Sequence, residues 1–494
     1  MFRQRRLWWT VLGSIILVGA LLRFTGYRFG LPYFQNFDEP WFFYEALFQR
    51  GLLPWWLHPN PSQGLIGLYK LAQIIAEGLT HQAATRSVTE IIISLRFVSV
   101  ILSLVTLVII GLCARELAGD IAGWLAAAIW AVIPLVVYHS FTAIAEPWMM
   151  LLGALALYTA VLTLRRESII HPLLSVWAGL AAFTFKYSMF SFAGIGLLFA
   201  AWRFLTVPPS QRTRWGRVIA FQIASIVIFL AWMVAFGGMI KDVSSPSREM
   251  AQVIQQPLTG LTKEGIIPKI VYASFWQLGT TPLLFAGLYI AALVVIIRSN
   301  PLRKNNLLAA WIGFGALGAF NMILVAFYLV FDETLLRYVF SADLTFVILA
   351  AVALAIVYDR LRARFTRSGM RTALLIGVVG IIVLWIEPLA YQATADAYDR
   401  TKPFTYTALT IWASHSLNDG GVLTEVFGNR AFTREFGGYT GPVRQLVIYS
   451  DLTAKPLAQW RQQGYRYLAA CGLGRNSRSF VHPFYGAHRK ELTL

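Results

Sequence analysis

Apolar stretches with few or no charges recur along this chain, each long enough to cross the ~30 Å hydrocarbon core of a bilayer as a helix of about 20 residues. The pattern predicts about eleven crossings, over 7–26, 88–113, 120–140, 145–164, 173–189, 190–206, 218–240, 272–297, 307–330, 339–358 and 372–390. The first follows Arg3, Arg5 and Arg6, as a signal peptide would. It lacks a small-residue cleavage site and runs too long, so it reads as a retained signal-anchor.

The polar segments between the runs set the orientation. An N-terminus inside places Arg165/Arg166, Arg212/Arg214/Arg217, Arg298/Arg303/Lys304 and Arg360/Arg362/Arg364/Arg367/Arg371 together in the cytoplasm. The opposite orientation exports every one of them. Segments 27–87, 241–271 and 391–494 are then expected outside the cytoplasm. The last differs from the rest, with mixed charge, turn formers and short apolar runs at Val422-Leu423-Thr424, Leu446-Val447-Ile448-Tyr449 and Tyr465-Arg466-Tyr467-Leu468. A helical stretch from Lys455 to Gln463 lies between the last two. The expected organisation is a transmembrane domain over 1–390 followed by a small extracytoplasmic α/β domain over 391–494.

Composition agrees with a membrane protein. The chain is 57% hydrophobic and 13% charged, with a mean hydropathy of +0.60, whereas soluble domains are about a quarter charged. The net charge of +18 lies mostly in short loops between apolar runs, which is positive-inside topology and excludes nucleic acid as the expected partner. Cys113 and Cys471, the two cysteines, fall on opposite sides of the membrane, so no intramolecular disulfide is expected. There is no fixed-period repeat, P-loop, glycine fingerprint after a strand or CxxC pair, and hence no visible site for soluble-nucleotide chemistry.

Ionisable side chains in or beside spans are costly and mark pathways or sites. Here they are Asp38, Glu39, Arg96, Glu146, Lys186, Asp332, Glu333 and Arg337, and the topology puts all of them toward the external side. A secondary transporter concentrates polar groups near the midplane on broken helices in two related halves. One-sided clustering favours a cleft that opens outward. Plainer readings stand beside this one. Glu146 caps the fourth span, with Pro147 at its first helical position, and Arg96 and Lys186 snorkel to the interface. Trp41, Trp55 and Trp56 form an interfacial aromatic belt.

Several segments, in order, resemble GT-C glycosyltransferases, above all the protein O-mannosyltransferases and the lipid A aminoarabinose transferases. Asn36-Phe37-Asp38-Glu39-Pro40 resembles the acidic pair of their first outer loop. His58-Pro59-Asn60-Pro61 resembles the proline-rich turn they place before a helix lying along the membrane. Leu95-Arg96-Phe97 and the run to Ala122-Gly123-Trp124-Leu125-Ala126-Ala127 resemble their second and third spans. Ala145-Glu146-Pro147 stands where many members carry an Asp, and Thr184-Phe185-Lys186-Tyr187 resembles their "TKY" segment with one residue inserted. Arg337-Tyr338-Val339-Phe340 resembles the "RY" that opens a late span, although Ser341 and Ala342 replace a proline-bearing segment. The resemblance covers roughly residues 1–360, and its weight lies in order and spacing rather than in any one motif.

The resemblance implies a GT-C-like helical membrane fold and an inverting transferase that takes a sugar from a polyprenyl-phosphate donor. Outside the cytoplasm there are no nucleotide sugars, so the donor has to arrive on a lipid. The acceptor hydroxyl, on a lipid, protein or glycan, needs a carboxylate base, for which Asp38 is the candidate, with Glu39 and Glu146 beside it. The departing phosphate needs fixed cations, here Arg337, Lys186 and Arg96. No cofactor is required by this chemistry; a divalent cation, if one takes part, falls to Asp38, Glu39 and His58. Two other classes stay open: a transporter of lipid or polysaccharide precursors, and a non-catalytic relative that binds a lipid-linked sugar.

Overall fold

Apolar runs have no polar side chain to offer backbone groups in lipid, so they satisfy those groups internally as helices. The computed structural model describes residues 2–29, 39, 63–80, 88–186, 189–236, 282–299, 306–328, 340–364, 380, 386–401, 421–424, 446–447 and 457–469. In chain order the helices are α1 (Phe2–Phe24), α2 (Gln63–Thr80), α3 (Val88–Ala118), α4 (Asp120–Val132), α5 (Pro134–Ser140) and α6 (Ala145–Arg165). They continue as α7 (Ile170–Phe183), α8 (Phe190–Thr206), α9 (Pro209–Phe236), α10 (Pro282–Ser299), α11 (Asn306–Tyr328) and α12 (Phe340–Arg364), then α13 over 386–399. Among the described residues five helices are long and apolar enough to cross a membrane, or six if α4 and α5 form one bent span; α7 and α8 are shorter apolar helices. Most of the expected span 372–390 lies outside the described residues.

Large apolar side chains face outward on these helices, among them Leu17 and Leu21 on α1, Phe97 and Ile101 on α3, and Val227 and Ile228 on α9. In water so much exposed apolar surface is a liability. Against lipid it is the required surface, and the chain is a multi-pass membrane protein. Its polar side chains turn inward: Arg96, Ser99, Ser103 and Thr106, at spacings that share one helical face, are all buried on α3.

One expected span is broken. The run 120–140 forms two helices bent by 65° between Val132 and Pro134, with Ile133 extended at φ −62°, ψ 116°. Proline disfavours a helical residue before it and has no N–H for the carbonyl four residues back. The Trp130 and Ala131 carbonyls therefore end in a buried helix terminus. Arg23, buried at the end of α1, takes both: Nη1 donates to Ala131 O at 2.9 Å and Nη2 to Trp130 O at 3.2 Å. The same guanidinium reaches Ser103 Oγ at 2.9 Å and Gly19 O at 3.1 Å. It meets the negative end of the α4 dipole with charge of the opposite sign.

At the other end of the bundle, arginines close helix termini in a similar way. Arg165 Nη2 donates to Leu117 O, the last turn of α3, at 3.0 Å. Arg203 Nε donates to Thr163 O, the last turn of α6, at 3.0 Å, and Asn306 Nδ2 to Leu164 O at 2.8 Å. Arg115 pairs with Asp120 at 2.7 Å and lies 4.3 Å from the Trp8 ring centroid. α7 and α8 pack closely because Gly179 leaves room for a neighbour, where a Cβ would run into the Ala193 backbone.

Contacts divide the chain into two compact units, Met1–Tyr27 with Trp41–Tyr398, and Arg28–Pro40 with Asp399–Leu494. The second contains three short strands, β1 (Gly421–Thr424), β2 (Leu446–Val447) and β3 (Tyr465–Ala469), and helix α14 (Leu457–Gln462). They form a parallel sheet in the order β2-β1-β3, with Val422 beside Leu446 and Tyr467. Gly464, at φ +88°, ends α14 in the left-handed region that glycine enters freely and turns the chain into β3.

Candidate functional site

α6 opens at Ala145 after an extended Ile144, and no side chain caps it. Glu146 and Pro147 follow as the second and third helical positions, so the helix starts two residues before the proline that the sequence reading put first. A proline is tolerated there because a first-turn N–H has no intrahelical partner. The Glu146 side chain is buried. It accepts a hydrogen bond from Lys186 Nζ at 2.8 Å, with side-chain exposures of 4% for the glutamate and 14% for the lysine, too low for water to screen the pair.

Lys186 is carried there by the way α7 ends. Thr184 Oγ1 donates to Ala181 O, and the Phe185 and Lys186 N–H groups fold back onto Ala182 O at 3.1 and 3.2 Å. This return turns the lysine toward the start of α6. Phe185 stacks on Trp148 at 5.9 Å with the ring planes 3° apart. The residue that lengthens the Thr-Lys-Tyr-like motif thus supplies an aromatic wall beside the ion pair.

Arg96 is fully buried, and its Nη1 donates to Tyr27 O at 3.0 Å. It fastens the exit of α1, from which the acidic loop departs, and both Arg96 and Lys186 are turned into the bundle. The antiparallel course of the helices puts the end of α1 and the starts of α3, α6 and α12 at the same end as the end of α7. Glu39 is buried and belongs to the second compact unit. Asp38, His58, Asp332, Glu333 and Arg337 lie outside the described residues.

Seven further polar side chains escaped the sequence reading. Lys70 on α2 is buried and donates to Gln73 at 3.1 Å, and Gln73 donates to Glu77 at 3.0 Å, which makes an inward polar row while Leu71, Ile74 and Ile75 face out. Next to it, Tyr69 Oη donates to Ala143 O in the turn just before α6. His139 on α5 is buried edge-on against Phe340 at 5.2 Å. Arg23 holds the bend that leads to α5. Asp343, in the first turn of α12, is buried, and neither of its oxygens has a hydrogen-bond partner among the described residues. Their available signal was a lone polar letter inside an apolar run, as in Leu68-Tyr69-Lys70-Leu71.

Residues 82–236 match the family model described as dolichyl-phosphate-mannose-protein mannosyltransferase. That segment contains Arg96, Glu146 and Lys186. No curated protein is significantly similar to the chain. Among solved structures, the chain is similar to the oligosaccharyltransferase of Archaeoglobus fulgidus in its apo form, at 14% identity and a TM-score of 0.51, over 89% of this chain and 61% of that one. The archaeal oligosaccharyltransferase AglB from Archaeoglobus fulgidus, in complex with an inhibitory peptide and a dolichol-phosphate, matches at 13% identity and a TM-score of 0.47, over 90% and 62%. The same enzyme tethered to an acceptor peptide matches at 15% and 0.48, over 88% and 59%. The chain thus spans about three fifths of the length of these structures. In fold and in its matched segment it resembles GT-C membrane glycosyltransferases.

Proposed function

We propose that a chain with this resemblance is an inverting glycosyltransferase that moves a sugar from a polyprenyl phosphate to an acceptor hydroxyl at the non-cytoplasmic face. The observation that carries this reading is the buried Lys186–Glu146 pair inside the mannosyltransferase-like segment. A cation held in low dielectric favours anions beside it, and a lipid phosphate at the membrane surface is such an anion. The match of residues 82–236 to the family model described as dolichyl-phosphate-mannose-protein mannosyltransferase supports a lipid-linked donor.

In the reaction the acceptor oxygen attacks the anomeric carbon opposite the phosphate, and its proton passes to the Asp38 carboxylate. The bond from the anomeric carbon to the phosphate oxygen breaks, and the polyprenyl phosphate leaves with the electron pair. Arg337 and Lys186 meet the growing charge. Arg337 suits two-point contact with phosphate oxygens. Arg96 holds the start of the loop that carries the base. Glu39 flanks the base, and Glu146 orients Lys186. Detergent-solubilised protein supplied with polyprenyl-phosphate sugars tests this directly. Cleavage of one donor with appearance of glycosylated acceptor is expected. Movement of intact donor lipid across a bilayer assigns a transporter instead, and binding without either assigns a non-catalytic relative.

The same reading puts the N-terminus and the 360–371 loop in the cytoplasm and the α/β domain over 391–494 outside, as the last of about eleven crossings requires. Cys113 is buried, so a membrane-impermeant maleimide reports on Cys471. Labelling of intact cells is expected, and labelling only after permeabilisation reverses the topology.

A further inference from the structure

We propose that Arg23 is a positioning residue for the donor site, acting through the α4–α5 bend; this rests on the function proposed above. Among the described residues the bend interrupts an otherwise continuous apolar run, and it is not left to proline alone. Pro134 removes the donor that Trp130 O would have used. Arg23 then grips Trp130 O and Ala131 O from α1 while anchored to Ser103 on α3. Four hydrogen bonds from one fully buried guanidinium fix the direction in which the chain leaves α4.

That direction decides where the ion pair stands. α5 is seven residues long and ends in His139 and Ser140. The chain then turns, with Thr142 N and Oγ1 both bonded to His139 O and with Tyr69 holding Ala143 O. Glu146 follows at the second position of α6. The short turn between the Arg23 clamp and the carboxylate that orients Lys186 is held by these hydrogen bonds, so a change of bend angle is carried to the lysine. A cation displaced by even an ångström no longer meets the leaving phosphate at the distance where it acts.

A plain structural role for Arg23 makes a different prediction, and the double variant R23Q/P134A separates the two. Alanine at 134 supplies the missing N–H, so Trp130 O is satisfied within a straighter helix and the folding defect of R23Q is relieved. The bend, however, is no longer enforced. The full-length protein is compared as wild type, R23Q and R23Q/P134A by thermal stability, by kcat and donor KM, and by backbone hydrogen exchange of 133–146. The expected result is that R23Q/P134A regains wild-type stability but keeps a kcat about ten- to a hundredfold low, with 141–146 exchanging faster than in wild type. Recovery of both stability and kcat, or exchange over 141–146 unchanged from wild type, overturns the proposal. Hydrogen exchange needs no substrate, so it still reads the Arg23 clamp if wild type consumes no lipid-linked sugar, a result that would count against the functional reading alone.

Discussion

Replacing Asp38 with asparagine lowers turnover by a factor on the order of 10² or more, with donor affinity nearly unchanged. The amide keeps the volume of the carboxylate but is a very weak base at neutral pH. The base is needed only as the acceptor oxygen attacks, so its loss falls on kcat and leaves ground-state binding of the lipid donor alone. Turnover measured beside donor-lipid affinity separates three outcomes. Low turnover with intact affinity is the expected one. Near-normal turnover removes Asp38 from the mechanism. Lost affinity recasts it as a residue that holds the donor or a divalent cation, and addition of a chelator to wild type then tells those two apart.

Breaking the ion pair has the largest expected effect on stability. Lys186→Ala takes the ammonium away from a Glu146 carboxylate whose side chain is only 4% exposed, and breaking a buried pair by removing one member costs about 3–5 kcal/mol. Glu146→Ala takes the carboxylate away from the ammonium, with a similar penalty. Replacing both with methionine removes the charges together and fills much of the space, so the double variant is expected to regain most of the lost stability. Activity is expected to stay absent, because the leaving phosphate has lost its ammonium. The check is a thermal unfolding series on the purified proteins with turnover measured on each folded fraction. Single variants as stable as wild type would show that the pair does not form, and a double variant with wild-type turnover would leave Lys186 no part in the chemistry.

The helices were legible because a bilayer demands long uncharged runs, and each described run proved helical. The break inside 120–140 was not read, although Pro134 stands in plain sight. Hydropathy averages over a window and sees Val132-Ile133-Pro134-Leu135 as one apolar stretch, while the bend depends on a backbone donor that is missing. Glu146 and Lys186 were each named from the sequence. Their partnership was not, since they are 40 positions apart in the chain and only the return turn after Phe183 brings them together. Arg23 was not singled out from the sequence at all. Three of its four partners described above lie 80 and more positions away, beyond anything local spacing reports. Asp38 and Arg337 owe their places in the proposed mechanism to motif order alone.

The arginines that close helix termini also give the bundle a schedule. Leu117 O, at the end of α3, waits for Arg165, 48 residues later in synthesis, and Thr163 O waits for Arg203, 40 residues later. At roughly 5–20 residues per second, each exposed carbonyl end stands open for a few seconds before the next part of the chain emerges to close it. Leu164 O waits longer, for Asn306, 142 residues downstream. Each of these three caps comes from downstream of the open end it closes, so this end of the bundle is sewn shut in the order in which the ribosome delivers it. A chain stalled before α8 holds α3 closed and α6 open, a half-finished seam that a quality-control protease or chaperone in the membrane has a physical basis to recognise.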